Sequence, residues 1–476
     1  MKHNIFKRII GIILAMVFVV SFISHFETIA YADEEQNEQE STSVQGDSFY
    51  PTPPEISGEA AVLIDADTGA VLYDRNCHER LYPASITKIM TGILAIENCS
   101  MSDKITFTSD IIDALPYDAA KLGAIVGEEL TVKDSLYALF IRSYNDVAMG
   151  LAYTVSGDEQ EFAKLMTEKA KAVGALDTNF VNASGLHDEN HYTTSYDMAM
   201  ITKYAIQNPV FMEITGTYEY TLGPTNRYFE DRYFLNRHNM LVPNRKEYYS
   251  YAVSGKTGYT DEAGRTLVTV AKKDGRTLIA VIMKSDDEHI YEDTKKLFEY
   301  GFGHFSNISV ADNETRFSEN KNSFFVNMKD AFVFGGTLFR ITKGSYVTLP
   351  ESVTINDLSY DIELFDGSSN GIIGKVKYYY LDKYMGEATI GLEISESNEE
   401  EIAPLLGENV QAEDEDVSDI PINIWILIAV IIGVILLIIW IIYLIKTKES
   451  RKRKRERKRI FRESKKRFKR RKRIRH

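Results

Sequence analysis

Cysteine is nearly absent from this chain, with Cys77 and Cys99 the only two in 476 residues. Two thiols make one pair at most, so a disulfide framework is excluded and the fold rests on a hydrophobic core. Whether the two pair or stay free depends on geometry that spacing does not give. Positive charge is equally scarce over most of the length. Residues 33–421 hold 32 Lys and Arg against 65 Asp and Glu, a net charge of −33. A surface this acidic argues against nucleic acid as a partner. No segment repeats at a fixed period, which excludes a solenoid or propeller. The helical zinc pattern H-E-x-x-H is missing too. His187-Asp188-Glu189-Asn190-His191 puts Asp second, and Gly185, Asp188 and Asn190 mark a turn. Neither a metal nor a cofactor is expected.

The ends carry what the middle lacks. Residues 1–32 read as a signal peptide: Lys2, Lys7 and Arg8, an apolar run from Ile9 to Ile23, then Ala30-Tyr31-Ala32 in the small-x-small form of a cleavage site. Residues 33–54 form an acidic tether with little to bury. Near the other end, residues 422–445 are 24 residues without a charge. At about 1.5 Å per residue they span a hydrocarbon core of roughly 30 Å. The tail, 446–476, holds 20 Lys and Arg and 3 Glu. A basic cluster next to a span marks the cytoplasmic side and attracts anionic lipid. The expected topology is a single-pass cell-membrane protein with its globular part outside the cytoplasm.

Between the ends, periodicity predicts an α+β protein. Ala61–Ile64 and Ala70–Tyr73 flank a turn ending in Gly69. Ala84–Glu97 has apolar residues at helical spacing, as do Leu136–Leu151, Phe162–Val173 and Tyr196–Ala205. Thr266–Ala271 and Thr277–Met283 form a hairpin around Asp274-Gly275. Asp293–Tyr300 follows as a helix ending at Gly301. An antiparallel sheet that joins the first and last strands, with helices against it, suits this pattern over residues 55–302. Residues 303–396 are strand-like, with turns expected at Asp366-Gly367 and Asn370-Gly371, and predict a small all-β domain. An acidic linker, 397–421, leads to the span.

Three short motifs carry chemistry. Ser85-Ile86-Thr87-Lys88 opens the first apolar helix. Ser143-Tyr144-Asn145 closes a helical segment. Lys256-Thr257-Gly258 lies just before the hairpin, on an expected strand. Residues three apart on a helix share a face, which brings Lys88 within reach of the Ser85 hydroxyl. Serine is a weak nucleophile until a base takes its proton, and lysine is a base only when its pKa falls. Lys256 is the candidate second cation. Backbone N–H groups at the helix start suit a developing oxyanion.

S-x-x-K with a Ser-x-Asn and K-T-G is the signature shared by penicillin-binding proteins and class A β-lactamases. With Ala61-Val-Leu-Ile-Asp-Ala-Asp-Thr-Gly, Asn179-Phe-Val-Asn-Ala-Ser-Gly-Leu and His191-Tyr-Thr-Thr-Ser-Tyr-Asp-Met-Ala, the chain resembles the low-molecular-mass D-alanyl-D-alanine carboxypeptidases, S11-type serine peptidases among the penicillin-binding proteins. The resemblance covers about residues 55–302 and implies a β-lactamase/transpeptidase-like domain. It also implies roles. Ser85 would form the acyl-enzyme, Lys88 would be the general base, and Ser143 would relay a proton to the leaving amine. Asn145, Lys256, Thr257, Gly258 and Tyr259 would bind substrate, with the N–H groups of Ser85 and Tyr259 as oxyanion hole. The substrate would be a peptidoglycan stem peptide ending in D-Ala-D-Ala, and β-lactams would be covalent inhibitors. Two departures stand out. The family's anchor is often an interfacial amphipathic helix, whereas residues 422–445 are apolar all round, followed by a basic tail, and read as a true span. The stretch 284–293, where some relatives carry a carboxylate-binding Arg, has none, which leaves Thr257 or Lys284 for that task. The alternatives are a class A-like β-lactamase, for which no E-x-x-L-N segment occurs between Ser143 and Lys256, and a non-catalytic β-lactam-binding or wall-binding module.

Overall fold

The computed structural model describes residues 50–316, 338–369 and 371–393, which lie in one compact unit. The expected signal peptide, most of the tether, the linker, the span at 422–445 and the basic tail lie outside those residues. Among the described residues no helix is long and apolar enough to cross a membrane.

A five-stranded antiparallel sheet, order β2-β1-β9-β8-β7, forms the centre. Its strands are β1 (Ala60–Asp65), β2 (Val71–Arg75), β7 (Ala252–Thr260), β8 (Gly264–Lys273) and β9 (Arg276–Ser285). Four short strands, β3 (Lys104–Thr106), β4 (Glu129–Thr131), β5 (Glu219–Leu222) and β6 (Arg232–Leu235), make two separate ribbons. The first and last strands of this region do share a sheet, since Val62 pairs with Val281. Side-chain alternation explains why β1 is buried along its whole length. Ala60, Val62 and Ile64 enter one core, with Val268, Val270, Ile279 and Val281. Ala61 and Leu63 enter a second core on the other face, with Leu278, Ala280 and Ile282.

Most helices pack on the first face: α1 (Lys88–Asn98), α2 (Ser109–Asp113), α3 (Val132–Tyr137), α4 (Asn145–Ser156), α5 (Glu159–Ala172), α6 (Ser195–Ala205) and α7 (Pro209–Thr215). Capping signals set several of their ends. Asp158 accepts N–H bonds from Gln160 and Glu161 to start α5, and Asn208 before Pro209 does the same for α7. Gly157, with φ +74°, stops α4. The helix expected over Leu136–Leu151 is broken. A π-helical turn, Ala138–Arg142, follows α3, and Ser143 takes the left-handed conformation at φ +64°. The break turns Ser143 out of the helix and toward the sheet edge.

On the second face lies α8 (Ile290–His304), which runs past its expected stop at Gly301. Gly301 serves packing instead of capping. A Cβ there would come within 2.6 Å of Leu63 and 2.7 Å of Leu278. Beyond it, β10 (Phe305–Ser309), β11 (Leu338–Ile341), β12 (Tyr346–Pro350), β13 (Ser359–Ser369), β14 (Ile372–Tyr380) and β15 (Lys383–Glu393) form a second antiparallel sheet with its own core. A short helix, α9 (Val310–Asn313), accompanies it. Asp366-Gly367 is not a turn: β13 continues through it, with a register irregularity, to Ser369. The second sheet meets the β1–β2 turn through polar groups. Thr68 and Thr348 hydroxyls lie 2.6 Å apart, Asn307 donates to Asp65, and Lys383 pairs with Asp74. Cys77 and Cys99 are both free thiols.

Candidate active site

Ser85 lies in a 3-10 turn, Ala84–Thr87, that runs into α1. Ala84 before it has φ +49°, an unusual conformation for a residue with a Cβ. A Cβ on Gly185 would fall 1.9 Å from the Ala84 carbonyl oxygen, so the loop after Ser184 needs glycine to press against the nucleophile turn. Edge strand β7 closes the other side. A Cβ on Gly258 would stand 2.9 Å from the Ser85 backbone nitrogen, and Thr266 on β8 donates to the Pro83 carbonyl. The three motifs therefore meet because a helix start, a helix break and a sheet edge converge on one cleft of about 830 Å³, lined by Ser85, Ser143, Asn145, Thr257, Gly258 and Tyr259 among others.

Lys88 is fully buried. Its Nζ lies 3.0 Å from Ser85 Oγ, 2.7 Å from Asn145 Oδ1 and 2.6 Å from the Ser184 carbonyl oxygen. The last two only accept hydrogen bonds, so they hold two N–H groups of the amine. When the amine is neutral its lone pair is left facing the Ser85 hydroxyl. Burial lowers the Lys88 pKa to about 7, helped by the Arg237 guanidinium and opposed by Asp146. The position therefore has the geometry and the acidity of a general base near neutral pH.

Lys256 is the counterpart. It is buried as well, with Nζ 2.8 Å from Ser143 Oγ and 2.6 Å from the Thr257 carbonyl oxygen. Burial first, then the positive charges of Lys88 and Arg237, push its pKa well below the ordinary lysine value. Repulsion between the two ammonium groups is mutual, so the pair gives up one proton more readily than an isolated buried lysine does.

Supporting contacts fix this arrangement. Buried Asp146 accepts N–H bonds from Leu122 and Gly123, and Asn145 N–H donates to the Ala120 carbonyl, which seats the 116–123 loop on the cleft rim. Asn182 Oδ1 accepts from Ser184 and Gly185 N–H, shaping the turn whose carbonyl holds Lys88. His191 is buried with both ring nitrogens used: Nδ1 accepts from Val181 N–H and Nε2 faces Thr87 Oγ1 at 2.9 Å. Burial holds its pKa at about 4. His187 is exposed at the cleft mouth. Tyr259 extends into solvent, its ring under Arg265 and its hydroxyl on Asp261.

The expectation that Lys284 stands at the cleft needs correction. Lys284 is spent on Glu59, 2.9 Å away, and does not line the cleft. Arg237 does, and its charge reaches both lysines. It precedes the short turn Asn239–Leu241, far from the 284–293 stretch, and its N–H bonds to the Ile141 carbonyl. Nothing in the isolated sequence sets Arg237 apart from other arginines. Asp146, Asn182, Ser184 and His191 were likewise not singled out for the site.

Comparison with known proteins places this geometry. The D-alanyl-D-alanine carboxypeptidase family, peptidase S11, matches residues 47–287. The chain belongs to that family of serine peptidases. It is 38% identical over 259 residues to the D-alanyl-D-alanine carboxypeptidase DacF of Bacillus subtilis, covering 53% of this chain and 64% of that one. It is 27% identical over 362 residues to DacA of Haemophilus influenzae, 74% of this chain and 88% of the relative. The solved structure of penicillin binding protein 5 from Haemophilus influenzae superposes with a TM-score of 0.58 at 25% identity, over 72% of this chain and 98% of the other. The peptidase reading, not the β-lactamase one, receives this support.

Proposed function

We propose that the protein is an exported serine D-Ala-D-Ala carboxypeptidase that trims the terminal D-alanine from peptidoglycan stem pentapeptides. The observation that carries this reading is the pair of buried lysines, each on its own serine, with Lys88 held by two pure acceptors. The terminal carboxylate of the substrate binds Thr257, Lys256 and Arg237, and its negative charge favours the proton on Lys256. Lys88 then stays neutral and takes the Ser85 proton as Oγ attacks the penultimate D-Ala carbonyl. The N–H groups of Ser85 and Tyr259 stabilise the oxyanion. Ser143 passes a proton to the leaving nitrogen, D-Ala departs, and water hydrolyses the Ser85 ester. β-Lactams acylate the same hydroxyl.

For location, the proposal keeps the topology of the sequence: signal peptide 1–32, span 422–445, basic tail in the cytoplasm and against anionic lipid, catalytic region outside. The acidic linker, 397–421, joins the strand-rich region (303–396), and through it the catalytic region (55–302), to the span.

The test is release of free D-Ala from a D-Ala-D-Ala pentapeptide, paired with labelling by a fluorescent penicillin. Ser85→Ala is expected to abolish both, and labelling that survives it removes Ser85 as nucleophile. Fast turnover of the penicillin in place of a long-lived adduct overturns the carboxypeptidase reading in favour of a β-lactamase.

A further inference from the structure

Arg237 stands on a clamped piece of backbone. Its side chain is exposed in the cleft wall, and its guanidinium has no hydrogen-bond or ion-pair partner among the described residues. Nothing at the tip holds the side chain, so its aim depends on the backbone that carries it.

Three elements fix that backbone. Arg237 N–H donates to the Ile141 carbonyl, in the π-helical turn just before Ser143. Asn236 donates through its side chain to the Thr217 carbonyl and accepts from His238 N–H. The third clamp comes from α8. The Tyr291 hydroxyl donates to the Arg237 carbonyl at 3.3 Å and accepts from Asn239 N–H at 3.4 Å. One hydroxyl therefore ties together the residues on either side of His238.

His238 sets the depth of this turn. Its buried ring meets the Tyr291 ring edge-on, with centroids 6.0 Å apart, and its Nε2 faces Thr269 Oγ1 on β8 at 2.9 Å. A Cβ on Gly255 would come within 2.5 Å of that nitrogen, so β7 passes against the ring one residue before Lys256. The segment is seated between the strand that carries Lys256 and Thr257 and the helix that carries Tyr291.

Tyr291 belongs to the stretch 284–293, which has no Arg. That stretch still reaches the cleft, since Asp287, Ile290 and Tyr291 line it. Tyr291 brings no charge there. Burial raises its pKa above the ordinary tyrosine value, opposed by the Asn239 N–H bond, so the hydroxyl keeps its proton at neutral pH. That one proton is committed to the Arg237 carbonyl, which leaves none for a ligand.

We propose that Tyr291 is a positioning residue of the substrate-carboxylate site: its hydroxyl holds the Arg237 backbone so that the guanidinium meets the terminal carboxylate of the substrate already aimed. The inference rests on the proposed function, in which Arg237 binds that carboxylate. A side chain aimed in advance loses less freedom on binding, so the effect falls on substrate affinity and not on the chemistry at Ser85.

The experiment is a double-mutant cycle in the full-length chain with a D-Ala-D-Ala pentapeptide as substrate. Tyr291→Phe keeps the ring against His238 and removes the hydroxyl. KM is expected to rise about fourfold, the loss of roughly one neutral hydrogen bond, with kcat within about twofold of native. In an Arg237→Gln background the same change is expected to move KM by less than about 1.5-fold, because no guanidinium is left to aim. An equal rise in both backgrounds, or a fall in kcat with KM unchanged, shows a merely structural role and overturns the proposal. An unchanged KM in Tyr291→Phe overturns it as well. No D-Ala release from the native protein, with penicillin labelling retained, overturns the carboxypeptidase reading alone. The cycle is then read on the labelling rate, since penicillin also carries a carboxylate: non-additive effects support the role of Tyr291, and additive ones overturn it.

Discussion

Lys88 and Lys256 are both buried and each faces a serine of the same cleft, yet their surroundings differ. Lys88 sits in a complete cage of Ser85, Asn145 and the Ser184 carbonyl, with Asp146 as the one opposing negative charge. Lys256 has Ser143, a neighbouring carbonyl and two repelling cations. A neutral amine is stable in the first place because fixed acceptors orient it. An ammonium is stable in the second only when an anion arrives. On the proposed mechanism, the difference lets one residue type serve as both base and anion receptor through the groups already bonded to it, not through depth of burial.

The sharpest way to break the comparison is Lys88→Met, which removes the base and leaves the receptor. Acylation by a fluorescent penicillin is expected to slow about 10³-fold, while a reversible carboxylate ligand still binds. Next is Gly258→Ala, whose Cβ would crowd the Ser85 nitrogen at 2.9 Å and push β7 off the nucleophile turn. Since β7 carries the Tyr259 N–H, a loss of about 10² in kcat is expected. Arg237→Gln acts on both lysines. KM for the peptide is expected to rise about tenfold through loss of a charge-assisted contact to the carboxylate. The native acylation rate climbs with pH through about 7 as Lys88 loses its proton. Without the Arg237 charge that limb is expected to move to higher pH, and a pH profile of kcat/KM reads both effects. A separate effect is thermodynamic. Lys88 titrates at about 7 folded and near 10.4 unfolded, so between those values the unfolded chain holds the extra proton and stability rises with pH. Relative to Lys88→Met, the native protein is expected to gain roughly 1 kcal/mol per pH unit across that window, measured by urea denaturation.

How much was legible beforehand varies by residue. The central hairpins followed from short apolar runs bounded by turn signals, because both faces of the sheet are buried, and α1 followed from helical spacing. The end of α8 was misread because Gly301 looks like a stop in sequence, whereas it clears space for Leu63 and Leu278. Asp366-Gly367 looks like a turn, but β13 runs on through an irregularity in its register with β14 and pairs again at Ser369. The break between α3 and α4 carried no distinct signal, because the apolar spacing runs through a π-helical turn unchanged.

The sequence by itself determined the Ser85–Lys88 contact, since three residues along a helix start is a local distance that no other part of the chain alters. It also determined the family, the acidic globular region and the two chemically distinct ends. Tertiary structure decided the rest. Ser143 reaches Lys256 across 113 residues only because a helix break faces a sheet edge. Lys88 acquires its acceptors from Asn145 and Ser184, 57 and 96 residues away. Arg237 lines the cleft while Lys284, bonded to Glu59, does not. Charge and burial act through space, and sequence separation does not measure that distance.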